Sequence, residues 1–151
     1  SSNPYYVTAL AGRYSKLGIG PERSPNIVPH GDVIAAGGMD LSFHSDMPMA
    51  PAKPMQLVWS AVNRLTAEGD VSGPDQRVDL ETALRAITID AAFSWRKEDQ
   101  LGSIAPGKIA NFTVLDQDPY AVPPAKLKDI AIWGTVFEGR PFPAPANTKR
   151  P

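Results

Sequence analysis

The sequence predicts an α/β chain in which helices come first and strands last. Three observations carry this. Apolar residues recur at helical spacing in three segments ahead of residue 97. After Glu98, short runs rich in β-branched and aromatic residues replace those stripes. The 16 prolines are spread between the periodic segments, so they read as punctuation of a folded chain and not as low complexity. At 151 residues the chain is long enough for one substantial core.

The elements follow in order. Val7, Leu10, Ala11, Tyr14 and Leu17 make a helical stripe that Gly18 and Gly20-Pro21 end. Gly20 to Pro29, GPERSPNIVP, is expected to be a loop, and Gly31 to Ala36 a short helix stopped by Gly37-Gly38. Met39 to Ser45 is a strand candidate. Its period of two would put Ser42, His44 and Asp46 on one face and Leu41 and Phe43 on the other. Met55, Val58, Trp59, Val62 and Leu65 mark a second long helix, closed by the polar stretch Glu68 to Gln76. Asp79 is the expected N-cap of a third, with Leu80, Ala83, Leu84 and Ile87 on its stripe and Glu81 at its positive end. Thr88 is read as re-capping a further turn that runs through Trp95. The β-like runs are Gly102 to Ile104, Ile109 to Leu115 and Ile130 to Glu138. The change in pattern places a boundary between residues 1–97 and 98–151, and no internal repeat is visible.

Charge and composition remove several function classes. With 15 Lys+Arg against 16 Asp+Glu and no basic run, the footprint of a nucleic-acid or anionic-membrane partner is missing. No apolar stretch approaches the roughly 18 residues that span a bilayer. Zero cysteines remove disulfides and thiolate ligands, so any metal must use histidine, carboxylate or water; this fits the reducing cytoplasm. Ser1-Ser2-Asn3-Pro4 is neither a signal peptide nor an initiator-methionine start, and the first residue is expected to be a cut.

The chemistry-bearing stretch is FHSDMPMAP, residues 43–51. An imidazole and a carboxylate stand two residues apart at the end of an apolar run, and two prolines follow. An acid at a strand end is one reading; an Asx turn or N-cap before Met47-Pro48 is the other. His44 likewise reads either as a site residue or as a packed histidine. Met47 and Met49 could wall an apolar pocket or fill a core gap. His30, after Pro29 in a polar loop, is expected to be exposed or to start a helix. Arg23 and Arg64 could each clamp an anion, but a structural ion pair is the expectation.

HSDMP after a strand, AVNR, ALRAITIDAA, GSIAPGKIANFTVLDQDPY and GTVFEGR, in that order and spacing, resemble the C-terminal part of a metal-dependent amidohydrolase, in the branch similar to N-substituted formamide deformylases. The resemblance runs from about Pro4 to Phe142. It implies the C-terminal portion of a TIM (β/α)8 barrel, with residues 5–97 as a barrel helix, the eighth strand and the following helices. Residues 98–142 would be strands of a small β-sandwich completed by the missing N-terminal part of the same protein.

The resemblance also implies hydrolysis of a carbon–nitrogen bond in a small amide-like substrate, with a divalent metal, zinc, as cofactor. Asp46 falls on the carboxylate at the end of the eighth strand, which acts there as base and metal neighbour, and His44 would contact substrate or orient Asp46. The family's His-x-His pair and later histidines have no counterpart, because the chain has only His30 and His44. Three protein ligands are usual for catalytic zinc, so the chain alone is expected to be inactive. It is also expected to expose an apolar sheet face on Phe112, Val114, Trp133 and Phe137, open to a companion chain or to a homo-oligomer. The alternative is a non-catalytic binding or assembly module derived from a truncated amidohydrolase.

Overall fold

A computed structural model describes residues 1–37 and 40–145. Helices α1 (Tyr5–Leu17), α2 (His30–Ala36), α3 (Pro54–Asn63), α4 (Leu80–Ala86) and α5 (Ile89–Ser94) precede strands β1 (Phe112–Leu115), β2 (Ile132–Phe137) and β3 (Arg140–Pro143). The result is a mixed α/β chain with a three-stranded antiparallel sheet in the order β1-β2-β3. Parallel pairing among the described residues is limited to one bridge, Ser2 with Phe43.

The centre of the molecule is α3. Pro54 occupies its first turn, where the missing N–H costs nothing, and Met55, Leu57, Val58, Trp59, Ser60 and Ala61 are all buried. A helix apolar on nearly every side belongs inside a core. Leu41 and Phe43 pack on it from one side, Ala83 and Ala86 of α4 from another, and Leu127 and Ile130 from a third. The last two flank the end of a 3-10 helix, Pro124–Asp129, which is bonded to α3 by Trp59 Nε1 donating to the Ala125 carbonyl at 3.0 Å. Asn63 Nδ2 donates to the Pro124 carbonyl at 3.0 Å, and the Lys128 ammonium lies 4.2 Å from the centre of a Trp59 ring.

Several expected elements change on contact with tertiary structure. The α1 stripe is buried at Val7 and Ala11, but Tyr14 and Leu17 stand exposed beyond the reach of the core. Helix α3 stops at Asn63, two residues short of Leu65, which instead bridges Val71. Asp79 caps α4 as expected, accepting from the Thr82 amide at 2.6 Å. Thr88 precedes α5 but does not cap it; its hydroxyl donates back to the Leu84 carbonyl at 2.7 Å. Of the strand expected over Met39 to Ser45, only Phe43 forms a bridge, while Met39, like the Gly38 of the expected helix stop, lies outside the described residues. Gly102 to Ile104 forms no strand.

The sheet register corrects the expected apolar face. Phe112 pairs with Val136 and Val114 with Gly134, whereas Thr113 pairs with Thr135 and Thr135 with Phe142. Directly opposed residues share a face, so Phe112 and Val114 lie on one side and Trp133, Phe137 and Phe142 on the other. Phe112 and Val114 are half-buried; Trp133, Phe137 and Phe142 are exposed. Gly134 is required where it is, because a Cβ there would stand 2.5 Å from the Phe142 carbonyl oxygen.

Candidate active site

The Ser2–Phe43 bridge builds the site. The Ser2 amide donates to the Ser42 carbonyl at 2.8 Å and the His44 amide donates to the Ser2 carbonyl at 3.0 Å, so two segments run side by side in the same direction. Each then leaves the pairing at the same end: the first enters α1 at Tyr5 and the second turns at Asp46. Buried Asn3 joins the two exits. Its Nδ2 donates to the Ser45 carbonyl at 2.9 Å, and its Oδ1 accepts from the Tyr5 amide at 3.0 Å. One side chain thus fixes the start of α1 to the residue before Asp46.

Asp46 adopts φ 52°, a left-handed conformation that Asp tolerates better than most residues. Its carboxylate is exposed and does not cap its own loop; Oδ2 accepts a hydrogen bond from the Tyr6 hydroxyl at 2.6 Å. That bond, together with burial and the carboxylate's charge, raises the Tyr6 phenol above its ordinary range. Strand parity does not carry to this point. Leu41, Ser42 and Phe43 are all buried, while His44 and Asp46 are exposed. The peptide bond from Met47 to Pro48 is cis. Met47 is 66% exposed, and half-buried Met49 offers its sulfur to Asn3 Nδ2 at 3.9 Å.

Behind this corner lie two buried side chains whose surroundings differ from the sequence expectation. His30 does begin α2, but it is 1% exposed, not a surface residue. Its ring stacks on Phe43 with centroids 5.1 Å apart, and Nε2 lies 3.1 Å from Ser2 Oγ. Burial, and secondarily the charge of Arg64, lower its pKa to about 4. Arg64 is fully buried and forms no ion pair among the described residues. Its guanidinium donates to three backbone carbonyls, Ser72 at 2.7 Å, Val28 at 2.8 Å and Pro25 at 2.8 Å. Burial lowers its pKa to about 10 against the opposing charge of Asp75. Arg23 is exposed.

The donor set fits a fragment of a metal centre and no more. Asp46 offers carboxylate oxygen of the kind divalent cations take, but among the described residues no three His, Asp or Glu side chains are grouped to hold a metal ion. A separate cavity of about 460 Å³, between α1 and the 66–75 loop, is lined by Lys16, Glu68, Asp70 and Asp75 and includes neither His44 nor Asp46. Tyr6 and Asn3 are the residues that sequence reasoning missed. A signal existed for Tyr6: it is an aromatic in the first turn of α1 that lies off the apolar stripe.

Comparison with known proteins identifies the family of the chain. A family model described as amidohydrolase family matches residues 6–143. The chain is 35% identical over 102 residues to the N-substituted formamide deformylase of Arthrobacter pascens, covering 68% of this chain and 19% of that protein. It is 34% identical over 112 residues to the putative amidohydrolase YtcJ of Bacillus subtilis (strain 168), covering 72% and 20%. Among solved structures, an uncharacterized metal-dependent hydrolase from Pyrococcus horikoshii OT3 matches with a TM-score of 0.60 and 26% identity, over 80% of this chain and 24% of that one. The chain therefore spans about a fifth of the length of the curated relatives it matches.

Proposed function

The chain belongs to the amidohydrolase family, and we propose that it supplies one sector of the active site of a metal-dependent hydrolase that cleaves carbon–nitrogen bonds other than peptide bonds, with N-formyl or N-acyl amines as the substrate class. In this reading residues 5–97 are the last elements of a TIM barrel, and the segment from residue 98 returns to a β-sandwich completed by the rest of the protein. The relatives named above support the reaction class.

One observation carries the assignment of the site. Asp46 leaves the end of a segment paired in parallel with Ser2, and the helix that follows Ser2 brings Tyr6 to its carboxylate. In this barrel architecture active sites gather at the C-terminal ends of parallel strands. An exposed acid at that end, held by a neighbouring element, suits a base better than a loop-capping residue.

A divalent metal, zinc in this proposal, supplies a water of lowered pKa and a polarised carbonyl when bound. Asp46 would lend one carboxylate to that centre, with the remaining ligands supplied from outside this chain. As general base it takes a proton from the attacking water and delivers a proton to the departing nitrogen, so that the amide gives an acid and a free amine. His44, exposed beside it, contacts substrate. With one carboxylate and one nearby imidazole, the chain by itself is inactive. Among the described residues no helix is long and apolar enough to cross a membrane, and the absence of cysteine favours the cytoplasm as the working compartment.

The test is to express the intact protein, measure its bound metal, and assay N-formyl and N-acyl amines with wild type and Asp46→Asn. Turnover that collapses in the variant supports the assignment. Near-normal turnover removes Asp46 from the mechanism.

A further inference from the structure

Asp46 lies in a left-handed turn beyond the last paired residue, and its carboxylate is exposed. An exposed carboxylate on such a turn samples several rotamers unless something holds it. Proton transfer, by contrast, needs an oxygen within hydrogen-bond reach of the reacting atoms. Among the described residues one side chain hydrogen-bonds this carboxylate, the Tyr6 phenol, at 2.6 Å from Oδ2.

The phenol is itself fixed from two directions. Tyr6 belongs to the first turn of α1, whose start is tied through Asn3 to the Ser45 carbonyl. The Ser2–Phe43 bridge sets the register of the two segments, and Tyr6, four residues after Ser2, meets Asp46, three residues after Phe43. The next residue of α1, Val7, is fully buried, so the helix cannot roll the phenol away without exposing it.

We infer that Tyr6 is a positioning residue for Asp46: its hydroxyl holds Oδ2 and so confines the carboxylate to one orientation, leaving Oδ1 to exchange the proton. The inference rests on the reading of Asp46 as the base. Tyr6 touches neither substrate nor metal in this arrangement and acts only through the carboxylate.

The experiment compares intact wild-type protein with Tyr6→Phe, which removes one oxygen and keeps the ring, and with Asp46→Asn, using the N-formyl and N-acyl amine panel. Partners that orient a catalytic group are typically worth on the order of ten- to a hundredfold. Tyr6→Phe is therefore expected to lower kcat about tenfold, with KM within about twofold and an unchanged melting temperature. A crystal structure of the intact variant should show the Asp46 carboxylate in more than one rotamer, against one in wild type. Unchanged kcat in Tyr6→Phe, a loss of kcat matched by a loss of thermal stability, or a single unmoved rotamer overturns the inference while Asp46→Asn remains inactive. Near-normal turnover in Asp46→Asn overturns the reading of the base, and this inference with it.

Discussion

Asp46 and Arg64 each place a charged side chain at a left-handed backbone position, φ 52° and 54°, yet the chain treats the two charges in opposite ways. The Arg64 guanidinium is withdrawn from water and spends its donors on three carbonyls of its own chain. The approach is so close that Gly73 must lack a side chain: a Cβ there would stand 2.4 Å from the Pro25 oxygen and 3.1 Å from Arg64 Nη2. The Asp46 carboxylate is left in solvent, with the Tyr6 phenol as its one side-chain partner among the described residues. Both residues belong to the sequence words that carry the resemblance to the family, HSDMP and AVNR, so the word alone does not say what the residue does. Saturation does: a charge whose bonds are completed internally holds the fold, and one left open is available for chemistry.

The widest separation between the two should come from their removal. In the intact protein Asp46→Asn is expected to cost turnover on the order of 10³-fold, about 4 kcal/mol of transition-state stabilisation. Its thermal stability should move by no more than about 0.5 kcal/mol, since the side chain is exposed. Arg64→Met should do the reverse. It strips three carbonyls of their donor, and at roughly 1 kcal/mol each the loss is about 3 kcal/mol, read as a lowered urea midpoint. Arg64→Met folding as stably as wild type would end the contrast.

How far these two residues could be told apart from sequence depends on which contacts are local. Asp79 as a cap, the α3 stripe from Met55 to Val62 and the glycine-terminated end of α1 are set within a few residues, and they came out as periodicity and capping rules require. Strands need partners, and here the pattern misled. Among its described residues, Asp40 to Ser45, the expected strand pairs at one residue, because its neighbour is only the short Ser2 segment. Strand β3 was unreadable because Arg140–Pro143 carries two prolines, tolerated on an edge strand but against every strand rule in isolation. Arg64 looked like half of an ion pair because its acceptors are backbone carbonyls 8 to 39 residues away, which no side-chain pattern announces. His30 looked exposed because its burial depends on Phe43 and Ser2, both distant in sequence. Asp46 was legible as a candidate, but strand parity was the wrong reason for it.

His30 sharpens the comparison through pH. Its folded pKa, about 4, lies below the ordinary value of 6.5 because burial penalises the imidazolium. Between those values the unfolded chain binds the proton and the folded chain does not, so stability falls as pH falls from about 6.5 toward 4. Between pH 7 and pH 5 the loss from this group should be about 2 kcal/mol. His30→Gln, which cannot titrate, should flatten that part of a stability-versus-pH curve. An unchanged slope would mean that His30 is hydrated in solution and that the packing behind the Asp46 corner is looser than that around Arg64.

The smallest effect tests whether the open corner is itself held. Asn3→Ala leaves the Ser45 carbonyl and the Tyr5 amide without the amide side chain that joins them. Ser45 is half-exposed and the first-turn amides of a helix can reach solvent, so water replaces part of what is lost and the cost should be about 1 kcal/mol. The consequence for activity should be larger than that figure suggests. The Ser45 carbonyl is the last fixed point before Asp46, and releasing it frees the turn that aims the carboxylate. A variant with a small stability loss and a kcat reduced beyond it would show that Asn3 serves the open charge more than the fold. Equal losses would make Asn3 another internally saturated group of the Arg64 kind.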